Sequence, residues 1–412
     1  MKKIRNSGAE AISDLPANVI DNILACLPLR DAVRTSLLSK EWRYKWISIP
    51  ELVFDFRFDR SYLRNHKFER IIYQVLLHHQ GAVNKFSLQV PTCRSSPDID
   101  QWILFLSNCK VEDFTLHIYW GSKHGMPSHF FSFQHLTHLN LYKCVFYPPK
   151  TFKGFSKLVT LDFQKVDFVP AVFKQFISQC LLLERVRLID CTDWDSTEIE
   201  GPSLRFFTFH GVFRSIRFKN CSVLGEVSLS IPLYVDGGIQ STISKKYFDF
   251  LPTLEKVNLH PGLLKCLGAG GAPSQFPSSL NRLRALNLSL YLDSMEEITF
   301  ALCLVRSSPN LHMLRITFYA SEIVEAVVEF IRAQETPDFR MSQLKRVVIA
   351  VFSSTEPQME FVKYILAVAA ALEVMVVSPS KSSAVSGVGE LSLINQLKQL
   401  PRASPNAQIC VR

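Results

Sequence analysis

An apolar triplet spaced as apolar-x-x-apolar-x-apolar recurs along most of this chain, and it limits the available folds more than any other feature. It runs through Val83, Phe86 and Leu88; Val111, Phe114 and Leu116; Leu136, Leu139 and Leu141; and Leu158, Leu161 and Phe163. Next come Leu183, Val186 and Leu188; Leu204, Phe207 and Phe209; Leu224, Val227 and Leu229; and Leu254, Val257 and Leu259. Leu283, Leu286 and Leu288; Leu311, Leu314 and Ile316; and Leu344, Val347 and Ile349 complete the series. Successive starts lie about 20–33 residues apart. The alternating half of each copy, as in Leu139, Asn140 and Leu141, predicts a short strand with one buried and one exposed face. The preceding apolar residue pins the incoming turn to the same core. Each unit leaves its apolar side open until the next covers it, so the copies stack into a curved solenoid of parallel strands.

The period is that of irregular leucine-rich repeats, which we place at residues 80–335. Apolar residues at three- and four-residue spacing predict helices over 100–107, 171–179, 295–305 and 322–332. The glycine cluster from Gly268 to Ser274 reads as a flexible loop and the expected break in the solenoid. Residues 378–389 read as a loop before a final helix over 391–400.

The first fifty residues follow a different pattern. Asp14 and Pro16 suit a helix start, and Leu15, Ile20, Ile23, Leu24 and Leu27 recur at helical spacing until Pro28 turns the chain. A second helix is expected from Asp31 through Val33, Leu37 and Leu38, with its continuation placing Trp42 and Trp46 one helical turn apart. So short a segment cannot bury that many large side chains within itself, which points to a partner that covers the surplus. The run from Asp14 through Ile20, Leu27, Pro28 and Val33 to Trp42 and Trp46 resembles a plant-type F-box, assigned here to residues 9–56. That resemblance implies docking onto the small Skp-type linker subunit of a cullin–RING (SCF-type) ubiquitin ligase. By the same analogy Leu15, Pro16, Ile20, Ile23, Leu27, Pro28, Val33, Leu37 and Trp42 form the contact surface.

The C-terminal part carries a second resemblance. Residues 344–349, 360–366 and 371–377 read as strand, helix and strand, and residues 400–409 as a closing segment. Together they are similar to the FBD domain that accompanies F-boxes and leucine-rich repeats in plants, here over 340–412. The expected architecture is α/β: an N-terminal helical F-box, an irregular leucine-rich-repeat solenoid, and an FBD-type strand-helix-strand end.

Composition narrows the function classes. The hydrophobic fraction is 47% with 20% charged residues, which describes a globular chain. The net charge of +9 favours acidic partners mildly, and no block of like charges calls for nucleic acid. Ten cysteines lack any C-x-x-C pair, so they read as reduced thiols, with Cys144, Cys191 and Cys221 in structural positions of the repeats. The N-terminus has no apolar signal core, and the longest apolar run, residues 365–377, is too short to span a bilayer. An intracellular protein of nucleus or cytoplasm, with no membrane association, is expected.

Chemistry points to binding rather than catalysis. His135 and His138 have metal-capable spacing, but Leu136 and Leu139 place them on a strand as an exposed pair. Gly268 lacks the Lys-Ser/Thr ending of a phosphate-binding loop, and no nucleophile elbow occurs. Asp193, Asp195 and Glu198 read as an acidic loop. No catalytic set, cofactor site or metal site is expected. The solvent-facing strand positions, including His138, Asn140, Arg185, Arg187, His210, Lys256, Asn258 and Arg315, form a mildly basic stripe suited to an acidic or phosphorylated segment of a target protein. The resulting expectation is a non-catalytic adaptor: the F-box docks the linker and through it cullin, and the repeats select a target for ubiquitination. The alternative is a leucine-rich-repeat interaction scaffold without ligase assembly.

Overall fold

The computed structural model describes residues 15–40, 42–55, 67–92, 96–192, 194–232, 253–268, 280–320, 322–334, 339–380 and 394–411. The chain divides into two compact units, residues 1–192 with 200–203, and residues 193–199 with 204–412.

In the first unit, two N-terminal helices (Ala17–Ala25 and Leu29–Arg34) precede the strands. These are β1 (Glu51–Phe54), β2 (Lys85–Thr92), β3 (Asp113–Trp120), β4 (His124–Gly125), β5 (His138–Tyr142), β6 (Cys144–Val145), β7 (Thr160–Gln164) and β8 (Arg185–Ile189). A parallel sheet runs in the order β1-β2-β3-β5-β7-β8, while β4 and β6 pair separately. Helices Lys67–His78, Ser96–Ser107 and Pro170–Gln179 supply crossovers between strands.

The second unit contains β9 (Trp194–Glu200), β10 (Phe206–His210), β11 (Phe213–Lys219), β12 (Glu226–Ser230), β13 (Lys256–Leu259) and β14 (Ala285–Leu290). It continues with β15 (Met313–Phe318), β16 (Arg346–Phe352), β17 (Val374–Pro379) and β18 (Gln408–Val411). Its parallel sheet runs β10-β12-β13-β14-β15-β16-β17-β18, and β9 pairs with β11. Helices Pro261–Gly268, Met295–Arg306, Glu325–Arg332 and Glu356–Val368 connect strands.

Every member of the recurring triplets is buried, none more than 3% exposed. The same spacing continues at both ends, in Ile49, Leu52 and Phe54 and in Leu372, Met375 and Val377, all buried. One backbone device recurs along the sheet. The carbonyl just before a strand accepts two consecutive N–H groups from the next repeat: Pro50 from Asn84 and Lys85, Asn84 from Glu112 and Asp113, Glu112 from Thr137 and His138. In the second unit Gly225, Glu255, Arg284, His312 and Lys345 do the same. Each strand therefore starts level with its neighbour, and the triplets line up as continuous rows beneath the sheet.

Phenylalanine fills the first unit's core. Phe130 lies with ring centroids 5.2 Å from Phe114, 5.1 Å from Phe133 and 5.7 Å from Phe155, and Phe146 reaches Phe163 at 5.0 Å and Phe176 at 5.1 Å. Edge-on and tilted pairs of this kind add to burial because each ring edge meets a neighbouring face.

Several local expectations need correction. The helix expected over 100–107 begins at Ser96, the one over 171–179 at Pro170, and the one over 322–332 at Glu325, while that over 295–305 extends to Arg306. The second N-terminal helix starts at Leu29 and ends at Arg34; Thr35 Oγ1 donates to the Ala32 carbonyl at 2.6 Å, and a 3-10 turn, Thr35–Leu37, follows. Trp42 and Trp46 therefore do not share one helix: Trp42 lies in a turn and Trp46 in the 3-10 segment Lys45–Ser48. The expected acidic loop around Glu198 is strand β9. Asp14 and most of the two expected loops lie outside the described residues.

Candidate interaction surfaces

In the N-terminal segment two prolines open helices, each with its carbonyl accepting the first N–H groups of the turn that follows. Pro16 O accepts from Val19 and Ile20 N–H at 2.9 and 3.1 Å, and Pro28 O accepts from Asp31 and Ala32 at 2.8 and 3.0 Å. Ile20, Leu24, Ala32, Trp42 and Ile49 make a small core, with Leu15, Leu27 and Trp46 packed against it. The Trp42 turn is held by Ser36 Oγ, which donates to the Arg43 carbonyl at 2.9 Å.

This core splits the nine expected contact residues into two groups. Ile20 and Trp42, 3% and 2% exposed, face inward and hold the fold together rather than presenting a surface. Leu15, Leu27 and Val33 are half-buried, while Pro16, Ile23, Pro28 and Leu37 are exposed. Leu37 is the extreme case at 88% exposure; Leu38 directly after it and Tyr44 seven residues on, which the residue-by-residue analogy omitted, are 58% and 66% exposed. Apolar side chains left bare beside a completed core are the kind of surface that a binding partner covers. Tyr44 also lines a groove that Arg30, Arg34 and Arg43 share with Val33, Trp46 and Val75.

The solvent face of the first unit's sheet is organised in rows. Glu51, Lys85, Asp113, His138, Thr160 and Arg185 share one register, and Ser87, Thr115, Asn140, Asp162 and Arg187 the next. Lys85 bridges Glu51 and Asp113 at 4.0 and 3.5 Å, and Arg187 Nη1 donates to both Asp162 oxygens at 3.2 and 2.9 Å. In the second unit, Lys256 pairs with Glu226 at 2.8 Å, Asn258 donates to Glu226 Oε1 at 3.0 Å, and Asn287 donates to Asn258. Arg187 and Lys256 thus have carboxylate partners within their own sheet, and the basic stripe is weaker there than residue types alone suggest. His138, Arg185 and Arg315 are exposed, and Asn140 and His210 are half-buried. His260 stands near His210; burial and then that neighbouring histidine push its pKa below the ordinary value.

Sequence comparison decides the family. Residues 12–53 match the F-box domain, residues 99–316 match the LRR repeats of FBD-associated F-box protein At5g56370, and residues 334–377 match the FBD. The chain is 33% identical to the Arabidopsis thaliana F-box/FBD/LRR-repeat protein At1g13570 over 97% of both chains. The chain belongs to the F-box/FBD/LRR-repeat family. Two further relatives from the same plant are F-box/FBD/LRR-repeat protein At3g52680, 24% identical over 98% of this chain and 93% of that one, and F-box/LRR-repeat protein At4g14096, 30% identical over 58% and 51%.

In this F-box/FBD/LRR-repeat protein several cysteines serve the fold. Cys144, Cys180 and Cys191 are buried, and burial pushes each thiol up to about 12. Cys191 Sγ donates to the Phe163 carbonyl and Cys221 Sγ to that of Ile199, tying neighbouring repeats. Among the described residues no group of three His, Cys, Asp or Glu is arranged to hold a metal, and no helix is long and apolar enough to cross a membrane.

Proposed function

We propose that this chain is a substrate-recognition adaptor of an SCF-type cullin–RING ubiquitin ligase, acting inside the cell. The F-box engages a Skp-type linker, the linker brings cullin, and the solvent faces of the repeats hold a target protein. The chain performs no bond chemistry in this role. It raises the target's effective concentration at the ligase and orients it.

One observation carries the reading: Ile23, Leu37, Leu38 and Tyr44 are exposed apolar residues on a segment whose own core is already complete. Burying one such side chain is worth about 1.5–3 kcal/mol. The docking edge in this reading is therefore Ile23, Leu37, Leu38 and Tyr44 with the exposed Pro16 and Pro28, backed by Leu15, Leu27 and Val33, while Ile20 and Trp42 support it from behind.

Co-purification from cells tests this. The intact chain should recover both linker and cullin, and Leu37→Glu with Leu38→Glu should recover neither. Linker without cullin would instead identify a scaffold that does not assemble a ligase, and recovery of neither by the intact chain would end the proposal.

A further inference from the structure

We propose that an acidic, aromatic-bearing segment of the target protein anchors on the cluster formed by His117, Tyr119, Tyr142, Lys143 and Lys165. This inference rests on the adaptor reading for the origin of its partner, and it names the chemistry that partner must present.

The cluster lies at the C-terminal ends of β3, β5 and β7 on the solvent face of the first unit. Strand register places His117 beside Tyr142 and Tyr142 beside Gln164. The rings converge: Tyr119 and Tyr142 have centroids 5.2 Å apart, His117 and Tyr142 5.8 Å, and His117 and Tyr119 6.1 Å. Polar bonds fix the rings in place. His117 Nε2 donates to Asn140 Oδ1 at 2.8 Å, and the Tyr119 hydroxyl reaches His117 Nδ1 at 3.5 Å.

Two lysines complete the arrangement. Lys143 and Lys165 each follow a strand directly, in β5 and β7, and both take the left-handed conformation with φ of 62° and 54°. Residues with a Cβ resist that conformation, and Asn, Asp or Gly usually occupy it. Asp190 and Asn220 hold it after β8 and β11, so lysine is not what the turn itself requires. The turn backbones are anchored, Lys143 N–H on the Gln164 carbonyl and Lys165 N–H on that of Ile189, both at 2.8 Å. Their side chains return toward the cluster: Lys143 Nζ donates to the Tyr119 backbone carbonyl at 3.5 Å, and Lys165 Nζ lies 5.8 Å from the Tyr142 ring centroid.

Charge decides which segment fits. Two nearby carboxylates are already engaged, Asp162 by Arg187 and Asp167 by Lys123. The cluster therefore presents lysine cations beside aromatic faces. Rigid aromatic side chains next to cations are what concentrates binding energy at protein interfaces. A partner with carboxylates alone would leave the rings uncovered, and one with rings alone would leave the lysines without counter-charges.

The test uses the full-length chain and a fluorescein-labelled peptide of four Glu-Tyr repeats, read by anisotropy. Saturable binding is expected, at least tenfold weaker with Lys143→Ala plus Lys165→Ala and with Tyr142→Ala. Tyr142→Phe keeps the ring and should bind within about threefold of the parent, which separates loss of the ring from loss of folding. Arg346→Ala, in the second unit, should bind unchanged. Equal affinity for a four-repeat Glu-Ala peptide, no saturable binding by the parent chain, or unchanged affinity in the lysine and Tyr142→Ala variants would overturn the inference. Linker capture is measured on the same proteins. Capture retained without peptide binding overturns this inference alone, whereas a parent chain that captures no linker overturns the adaptor reading.

Discussion

The backbone N–H of Gln80 donates to the carbonyl of Ile47 at 2.8 Å, joining the segment after helix Lys67–His78 to the last 3-10 turn of the F-box. Three residues on, the Pro50 carbonyl accepts from Asn84 and Lys85 as the first rung of the repeat ladder. The F-box is thus continuous with the repeats through the same backbone device that links one repeat to the next. Its inner residues belong to the fold, and its outer residues are available for a partner.

That division predicts opposite outcomes for neighbouring substitutions. Trp42→Ala removes a buried indole and should cost about 3–5 kcal/mol in the stability of the F-box. Leu37→Ala truncates a side chain that is 88% exposed and should change stability by no more than about 0.5 kcal/mol. Denaturant unfolding, with hydrogen exchange over residues 17–49 to localise the effect, distinguishes them. Equal stability losses would contradict the assignment of inner and outer faces.

Glu297 is expected to make stability depend on pH. It is 1% exposed at the start of helix Met295–Arg306, where Ser294 Oγ accepts its N–H and its own Oε2 accepts from Tyr291 N–H at 2.9 Å. Burial, above all, pushes its carboxyl from 4.5 up to about 8, while the Tyr291 bond opposes the rise. The folded pKa exceeds the ordinary one, so the neutral carboxyl's contribution is complete below 4.5 and is lost as pH rises through about 8. Glu297→Gln keeps an acceptor oxygen and removes the ionisation. Between pH 5 and pH 9 the parent should lose up to a few kcal/mol relative to the variant. Parallel profiles of melting temperature against pH would show that the carboxyl is not held neutral.

Among the described residues of the second unit, Val351 is a β-branched residue held in the left-handed backbone region. Its φ is 58°, at the register irregularity between Ile349 and Phe352 where β16 meets β17, and its side chain is exposed. A β-branched residue in the left-handed region costs about 1–2 kcal/mol, and glycine's extra unfolded-state freedom offsets about half of that. Val351→Gly should therefore raise stability by about 0.5–1 kcal/mol, read from the denaturation midpoint. A loss of stability would mean that the side chain contributes packing that outweighs the strain.

The repeat architecture was legible because one spacing serves the central strands of both parallel sheets. The triplets from Val83 to Ile349 specify both the strand and the face it buries, and each side chain in them is buried. The same spacing at Ile49, Leu52 and Phe54 and at Leu372, Met375 and Val377 was masked by the F-box and FBD patterns that overlap those residues. Helix Lys67–His78 was less legible, although Phe68, Ile72, Val75 and Leu76 are all buried at three- and four-residue spacing. Side-chain direction within the F-box was not legible from helical periodicity, because the chain leaves the helix at Arg34 and the turn that follows sends Trp42 inward and Leu37 outward. On the sheet faces, residue type identified the basic positions. It could not show that Asp162 and Glu226 would pair with Arg187 and Lys256 across neighbouring strands, nor that Lys143 would reach the Tyr119 carbonyl and Lys165 the Tyr142 ring.

The most direct measurement of the central claim is calorimetric titration of the purified full-length chain with a purified Skp-type linker, beside Leu37→Glu plus Leu38→Glu. The account predicts saturable one-to-one binding by the parent chain and at least a hundredfold weaker binding by the variant at unchanged melting temperature. Equal binding by both proteins would contradict the proposed docking edge, and no binding by the parent chain would contradict the adaptor function itself.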